Sequence, residues 1–550
     1  MTAAVILAAL AGCPGSGGPA QVGTQPSWRG SGAKPAPVLA PVRFAPTTEP
    51  AQRYNEVYQA PPKTPLGDAV VAAVRDAAQK AGTPVPIADA RLFRVCRELA
   101  EIVPEDGLLN YSFTEFALQR NGIIEPSPQM LVVWGDVDAT QDVLEKLQTR
   151  ITDYLESGAN ARLGVGAVKR KADGTGVVVF ALQGSSIQTT PIPRTLAANG
   201  SFTLDAVVDV RFKDPEVFMT YETGATERLE ITPGHAGGFT AKVGCGAHTG
   251  RQQVEITASD QNGATVLANF PVWCATQPPV SLTIDPTADD TPVTTTDDAE
   301  KRLLALVNRD RQAAGLPALV WDDKVAAVAR AYAEEMRRTK VVAHISPTSG
   351  SAADRVRAAK IKTAVVLENV ARAYGVGEAH QALMNSPGHR ANITSRSATR
   401  IGIGMAFGDE VSKDRREIFI TQVFTRVPPK IDPAQATATV VQRISESAGK
   451  PLGNAAKLAS IAQQLADALA SGKTREEAYP LVKKQVEALG SSYARVGSVI
   501  TAAADLDTVD GKSLLGGSAG DDIGVGIAQG PHPEIGEGAM WIVVLLGQKR

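Results

Sequence analysis

Three stretches of the chain carry apolar residues at helical spacing. They are Leu92, Val95, Cys96, Leu99 and Val103; Val325, Val328, Ala329, Tyr332 and Met336; and Leu458, Ile461, Ala462, Leu465 and Leu469. Each predicts an amphipathic helix with one face on a core. Each is followed, further along, by a strand in which glycine alternates with apolar residues, then a turn and an apolar strand. The pairs are Leu163-Gly164-Val165-Gly166 before Val177–Phe180, Ile401-Gly402-Ile403-Gly404 before Ile418–Thr421, and Ile523-Gly524-Val525-Gly526 before Trp541–Val544. From Asp89 to Gly164 is 75 residues, from Asp322 to Gly402 is 80, and from Asn454 to Gly524 is 70. Common order and spacing argue for one α/β unit used three times. An α/β chain can also reach helix-then-hairpin without duplication, and the pattern alone leaves both open.

Between the first and second units the period changes to two. Phe202, Leu204, Ala206, Val208, Val210 and Phe212 alternate with other residues, as do Phe239, Ala241, Val243 and Cys245, and Val266, Ala268, Phe270, Val272 and Cys274. This is the pattern of half-buried strands, separated by turn residues such as Asn262-Gly263. Both cysteines fall on the inward phase. An Ig-like sandwich with one buried disulfide, Cys245 to Cys274, follows. The fold class expected is therefore multidomain α/β with an all-β sandwich inserted.

Composition sets the boundaries. At 550 residues the chain has room for roughly three to four domains. Residues 14–66 are rich in Pro, Ala, Gly and Thr and read as a disordered stalk; 278–297 and 429–453 read as linkers. These divide the chain into α/β unit 67–185, sandwich 186–277, α/β unit 298–428 and α/β unit 454–550. A net charge of −2 gives no electrostatic case for binding nucleic acid. Residues 3–11 are uniformly small or apolar, too short to span a bilayer, which takes about 20 residues. They suit the apolar region of a signal peptide. The following Leu10-Ala11-Gly12-Cys13 resembles the lipobox of bacterial lipoproteins, which implies cleavage at residue 13, lipidation of Cys13 and anchoring in the bacterial cell envelope. The bland alternative is an Ala-rich tail. Cys96 sits on a helical apolar stripe and is expected to be a buried thiol.

The middle unit carries the candidate chemistry. Leu303, Leu306 and Val307 begin a helix that stops at Gly315, suited to the C′ position. Trp321-Asp322-Asp323 sets a carboxylate at the next helix's N-cap. Then come His344, Glu368-Asn369, and Ser386-Pro387-Gly388-His389-Arg390, where Ser386 as N-cap and Pro387 at the first position open another helix. The order resembles the CAP superfamily of cysteine-rich secretory, antigen-five and pathogenesis-related proteins, in its bacterial SCP-like branch. The matching pieces are Asn308-x-x-Arg311, Gly315-Leu316-x-x-Leu319, His344, Glu368-Asn369, Ser386 to Arg390, Asn392-Ile393, Gly402-x-Gly404 and Thr421-Gln422-x-Phe424. They cover about a quarter of the chain.

The resemblance implies an α-β-α sandwich and a cleft built from two His and two Glu. His344 and Glu368 match the first of each. Ser386 stands where the second Glu lies, and Phe419 where the second His lies. Phe419 and Thr421 share a strand face, so the ring is expected to line the cleft. Bacterial members carry His389 instead. The implied cleft is His344, Glu368, Asn369, Ser386, His389, Phe419, Thr421 and Gln422. His344, His389 and Glu368 could hold zinc with an open position if they converge, which spacing does not show. His344 and Glu368 could serve as acid and base, with Ser386 as nucleophile. The blander readings, Ser386 as a helix cap and Glu368-Asn369 as a structural turn, are favoured. The flanking units lack the motif, with Val133 to Asp136 and Glu156 to Ala159 in its place in the first, and no His before His532 in the last. They read as degenerate CAP-like copies. His235, His248, His380 and His532 are expected at the surface. The reading is an envelope-anchored, non-catalytic binder of a lipid, envelope polymer or protein partner. The alternative is a zinc-dependent or His/Glu hydrolase of peptides or envelope polymers, and a third reading is a purely structural envelope protein.

Overall fold

The computed structural model describes residues 41–56, 60–104, 109–157, 160–171, 175–284, 291–412, 415–428, 430–517 and 520–550. Cys13, the apolar segment before it and the stalk as far as residue 40 lie outside these, as do Gly158 and Ala159.

The three mixed units share one strand order. A short strand runs parallel to the first arm of a long antiparallel hairpin, and a strand from mid-unit pairs with the second arm. In chain order the first unit uses Ile87–Ala88, Gln129–Asp136, Asn160–Lys169 and Thr175–Gly184. The middle unit uses Val320–Trp321, Val366–Ala373, Arg400–Ser412 and Arg415–Thr425. The last uses Gly453–Asn454, Tyr493–Ala503, Asp522–His532 and Gly536–Lys549. The register repeats too, with Ala88 opposite Leu163, Trp321 opposite Ile401 and Asn454 opposite Ile523.

The alternating glycines explain the repetition. A Cβ on Gly402 would collide with the backbone of Val325 and Ala326, and one on Gly404 with that of Ala329 and Arg330. Gly164 and Gly166 face Leu92 and Cys96–Arg97 in the same way, and Gly524 and Gly526 face Leu458–Ala459 and Ala462–Gln463. Bare backbone on the sheet lets the inner helix lie directly on it. These helices are Ala90–Ile102, Asp323–Thr339 and Ala456–Ala470. The backbone N–H of the residue before each donates to the strand below, Asp89 to Leu163, Asp322 to Ile401 and Ala455 to Ile523. A second helical layer covers the opposite sheet face. In the middle unit Ala299, Leu303, Leu306 and Val307 of helix Thr296–Ala313 pack there with Ile401, Ile403, Ile418 and Ile420. The second hairpin arms are buried on both faces, as their uninterrupted apolar runs require.

Two segments expected to be linker or stalk are ordered. Pro433–Ala448, inside the expected 429–453 linker, is a helix that buries Ala436, Val440 and Ile444 on the last sheet, so the last unit starts there. Val42–Phe44, inside the expected stalk, pairs with Leu282–Ile284 of the expected 278–297 linker. Tyr54 is fully buried and its hydroxyl donates to Pro271 O at 2.7 Å. Aromatic side chains in a Pro-rich stretch found a core to fill.

Residues 187–274 form two sheets around one core that includes Leu204, Ala206, Phe239, Ala241, Val254, Ile256, Phe270 and Val272. Cys245 and Cys274 are joined in a disulfide and Cys96 is a buried free thiol. The alternation starting at Phe202 runs past the strand itself. Ser201–Val208 is the strand, Asp209 to Phe212 turns, and Val210 is 89% exposed. In strand Gly250–Asp260 of the other sheet both phases are buried: Val254, Ile256 and Ala258 inward, and Gln253, Glu255 and Thr257 on the other face. That second face brings the β-unit to the middle unit. Among the described residues no helix is long and apolar enough to cross a membrane.

Candidate functional site

The site lies where the middle unit's inner helix, edge strand and a short helix meet. The inner helix ends at Lys340, whose φ of 57° turns the chain back. Tyr332 on that helix donates its hydroxyl to Ala343 O at 2.5 Å, fixing the loop that carries His344. Glu368 projects from strand Val366–Ala373 and its side chain is nearly buried. His344 Nδ1 donates to Glu368 Oε2 at 3.1 Å. Arg355 donates to Glu368 Oε1 and to Gly350 O, and its guanidinium stacks on the Tyr332 ring 3.4 Å from the centroid. Arg355 belongs to helix Ala352–Ala358, opened by a Ser351–Asp354 capping box.

Asn369 is fully buried and ties the strand to the short helix Pro387–Ile393. Its Nδ2 donates to His389 O at 3.1 Å and Gln422 Oε1 at 3.0 Å, while its Oδ1 accepts from Asn392 at 2.9 Å. Asn392 also donates to Glu368 O at 3.0 Å. Ser386 caps the short helix, its hydroxyl accepting from His389 N. The His344 and His389 rings stand 6.0 Å apart, centroid to centroid. Burial lowers the His389 pKa to about 3, with His344 adding to the effect, so its imidazole is neutral at physiological pH.

A family model described as CAP, the cysteine-rich secretory protein family, matches residues 304–424. These residues form a bacterial CAP domain. The chain is 37% identical over 106 residues to the uncharacterized protein YkwD of Bacillus subtilis, covering 19% of this chain and 41% of that one. It is 33% identical over 108 residues to the uncharacterized membrane protein YlbC of the same organism, covering 20% and 31%. It thus spans less than half the length of these curated relatives. Among solved structures, an outer surface protein of Borrelia burgdorferi matches at 20% identity and TM-score 0.22, over 24% of this chain and 97% of that one. An extracellular SCP-domain protein of Bacillus anthracis matches at 17% identity and TM-score 0.21, over 54% and 94%.

The CAP motif residues divide by what they touch. His344, Glu368 and His389 are brought together. Asn308 and Arg311 are structural ties: Asn308 bonds both ways with Leu319, and the buried Arg311 donates to Pro317 O, Ile393 O and Ser395 O at 2.8–2.9 Å. Phe419, expected to line the cleft, is instead sealed. It has no exposed surface, packs on Tyr332, Met336 and Val370, and has Lys340 and Arg372 against its ring. Thr421 and Gln422 are buried likewise, Thr421 on the face of Phe419 and Gln422 on the opposite one, where it accepts from Asn369, so none of the three offers surface to the cleft. His380, expected at the surface, is buried with Nε2 2.8 Å from Asp310 Oδ2.

Each Glu368 oxygen accepts one hydrogen bond, and the Arg355 guanidinium on Oε1 weighs against a dication at this carboxylate. Among the described residues no three His, Cys, Asp or Glu side chains are grouped as metal ligands. Of the expected set, His344 and Glu368 are hydrogen-bonded to each other, and the His389 ring stands 6.0 Å from that of His344. Arg355 escaped the sequence reading, its only local signal being the capping box that starts its helix. Glu255 of the β-unit escaped it too. It accepts from Gly388 N at 2.9 Å beside Ser386, and burial pushes its pKa up to about 7 against the hydrogen bonds from Ser386 and Gly388.

Proposed function

We propose that this is an exported, envelope-anchored protein whose CAP domain binds a ligand or protein partner without catalysing a reaction on it. The observation that carries this is the state of Glu368. Arg355 and His344 each hold one oxygen of the buried Glu368, which favours a carboxylate that orients the His344 ring over one free to take a proton from a substrate. His344 keeps 27% of its side chain exposed beside the half-buried His389, so the surface on offer is two imidazoles and backbone, which suits recognition. The Cys245–Cys274 disulfide supports an oxidising compartment. Lipidation at Cys13 would hold the chain at the membrane, in keeping with a lipobox-like start. In this reading the first and last units are CAP-related copies without the His and Glu, as their common strand order and glycine pairs favour, and the β-unit is an Ig-like spacer.

The test is native mass spectrometry of the full chain, purified without a metal-affinity tag and offered zinc and an envelope lipid extract, with His344→Ala alongside. An adduct from the extract that disappears in His344→Ala supports binding. Stoichiometric zinc lost in His344→Ala would sink the non-catalytic reading. Membrane fractionation of Cys13→Ser tests the anchor, and unchanged membrane association would remove it.

A further inference from the structure

The β-unit touches both walls of the CAP cleft with one hairpin, strands Gly250–Asp260 and Gly263–Cys274. At the tip, the backbone carbonyl of Asn262 accepts from His344 N at 3.0 Å and Ile345 N at 2.8 Å. Gly263, with φ of 97°, lies so close that a Cβ there would sit 2.9 Å from His344 Cβ. On the strand that leads into the tip Glu255, with no exposed surface, accepts from Gly388 N at 2.9 Å, next to His389. Asn269, paired with Glu255 across the hairpin, donates to Asn385 O at 3.2 Å.

Glu255 and Asn262 are seven residues apart, roughly 23 Å at about 3.3 Å per residue, so one stretch of hairpin reaches both walls. The imidazoles of His344 and His389 on those walls are 6.0 Å apart. A hydrogen-bonded hairpin enclosed by the 245–274 disulfide is stiff, and its tip adds two backbone bonds to the loop that Tyr332 and Glu368 hold from the CAP side. Val341, Val342 and Ile345 around it are exposed.

We infer that this hairpin is a strap that sets the width of the CAP cleft. It pins the His344 loop and the His389 helix to one rigid ruler, so a ligand that needs a wider or narrower gap must release it. The buried, uncommon face of the β-unit follows from this. Gln253, Glu255 and Thr257 occupy a phase that an unattached sheet would turn to water, and all three are buried. The strap gives the β-unit a task beyond spacing. It rests on the cleft being the working surface, yet its test needs no ligand, so failure of that reading would leave the strap standing and the reverse is equally readable.

Hydrogen–deuterium exchange on the full chain decides it, with Gly263→Ala releasing the tip and Glu255→Met, which keeps the bulk but removes the acceptor, releasing the far end. A strap couples its ends. Each variant should speed exchange at His344, Ile345 and Gly388 together, by roughly tenfold for one lost hydrogen bond. Strand Ser201–Val208 should keep its wild-type rate. If Gly263→Ala also loosens that strand, it has damaged the β-unit and Glu255→Met carries the measurement. Loosening confined to the substituted end, or wild-type rates at all three amides, would overturn the inference.

Discussion

Replacing Arg355 with Met tests whether Glu368 is a structural anchor. The side chains of the pair are 6% and 4% exposed, so water cannot take over from the guanidinium. Removing one partner of a buried pair leaves the other charge uncompensated, at a cost of about 3–5 kcal/mol. Loss of the stack on Tyr332 adds about 1 kcal/mol. His344 remains on Oε2 and offsets part of this, which places the expected loss at about 3–4 kcal/mol. Met keeps the aliphatic volume, so the loss reports the charge. Glu368→Gln should cost less, about 1–2 kcal/mol, because the amide oxygen still accepts from Arg355. Removing both together, Arg355→Met with Glu368→Leu, should cost less than the two single losses combined, with a coupling of about 2–3 kcal/mol. The chain has several cores, so a single melting transition would mix them. Exchange protection of strand Arg415–Thr425 isolates the CAP domain and is the appropriate readout. A loss below about 1 kcal/mol in Arg355→Met would mean that Glu368 is hydrated and available for chemistry. The case against catalysis would then fall with it.

Three further outcomes follow from the same contacts. Glu255 has its pKa raised to about 7 in the folded chain against about 4.5 when unfolded. Its contribution, about 3 kcal/mol, is therefore present below about pH 4.5 and lost as pH rises through about 7. Glu255→Gln should flatten the fall in CAP-domain exchange protection between pH 5 and 8, and an unchanged slope would show that another group titrates. His389 has the opposite sign: with its folded pKa lowered to about 3, stability is lost as pH falls below about 6.5, and His389→Phe should remove that acid-side loss in the same protection profile. Reducing or removing the 29-residue disulfide loop with Cys245→Ser and Cys274→Ser should destabilise the β-unit by about 3 kcal/mol in urea, and a shift under 1 kcal/mol would contradict the loop-closure argument.

What could be read from the chain were the features whose cause is local. Gly402 and Gly404 alternate because a helix backbone lies on them, and that demand is written at each position. Ser386 and Pro387 announce a helix start because the cap bond spans three residues. Helix Pro433–Ala448 was missed for a related reason. Its buried stripe is only Ala436, Val440 and Ile444, one residue per turn in a run of Ala and Thr that reads as linker.

The site itself depends on contacts that no local pattern encodes. Arg355 meets Glu368 across 13 residues and Glu255 meets Gly388 across 133. Period-two alternation put Phe419 and Thr421 on one strand face, which holds for any strand, but it says nothing of what covers that face. Tyr332 and Met336 cover it, and they come from a helix whose own stripe had been read as ordinary core. The same limit hides Glu255. Alternation along Gly250–Asp260 separates an apolar phase from a polar one, and the natural inference is that the polar phase meets water. Here it meets the CAP domain, and burial without a cation raises the carboxyl's pKa to about 7. A buried Glu that no charge partner repays is an unstable choice for a spacer. It makes sense where its hydrogen bond to Gly388 holds one wall of a cleft in place, and that is why the polar phase of this strand, more than the motif residues, is where the function of the β-unit should be sought.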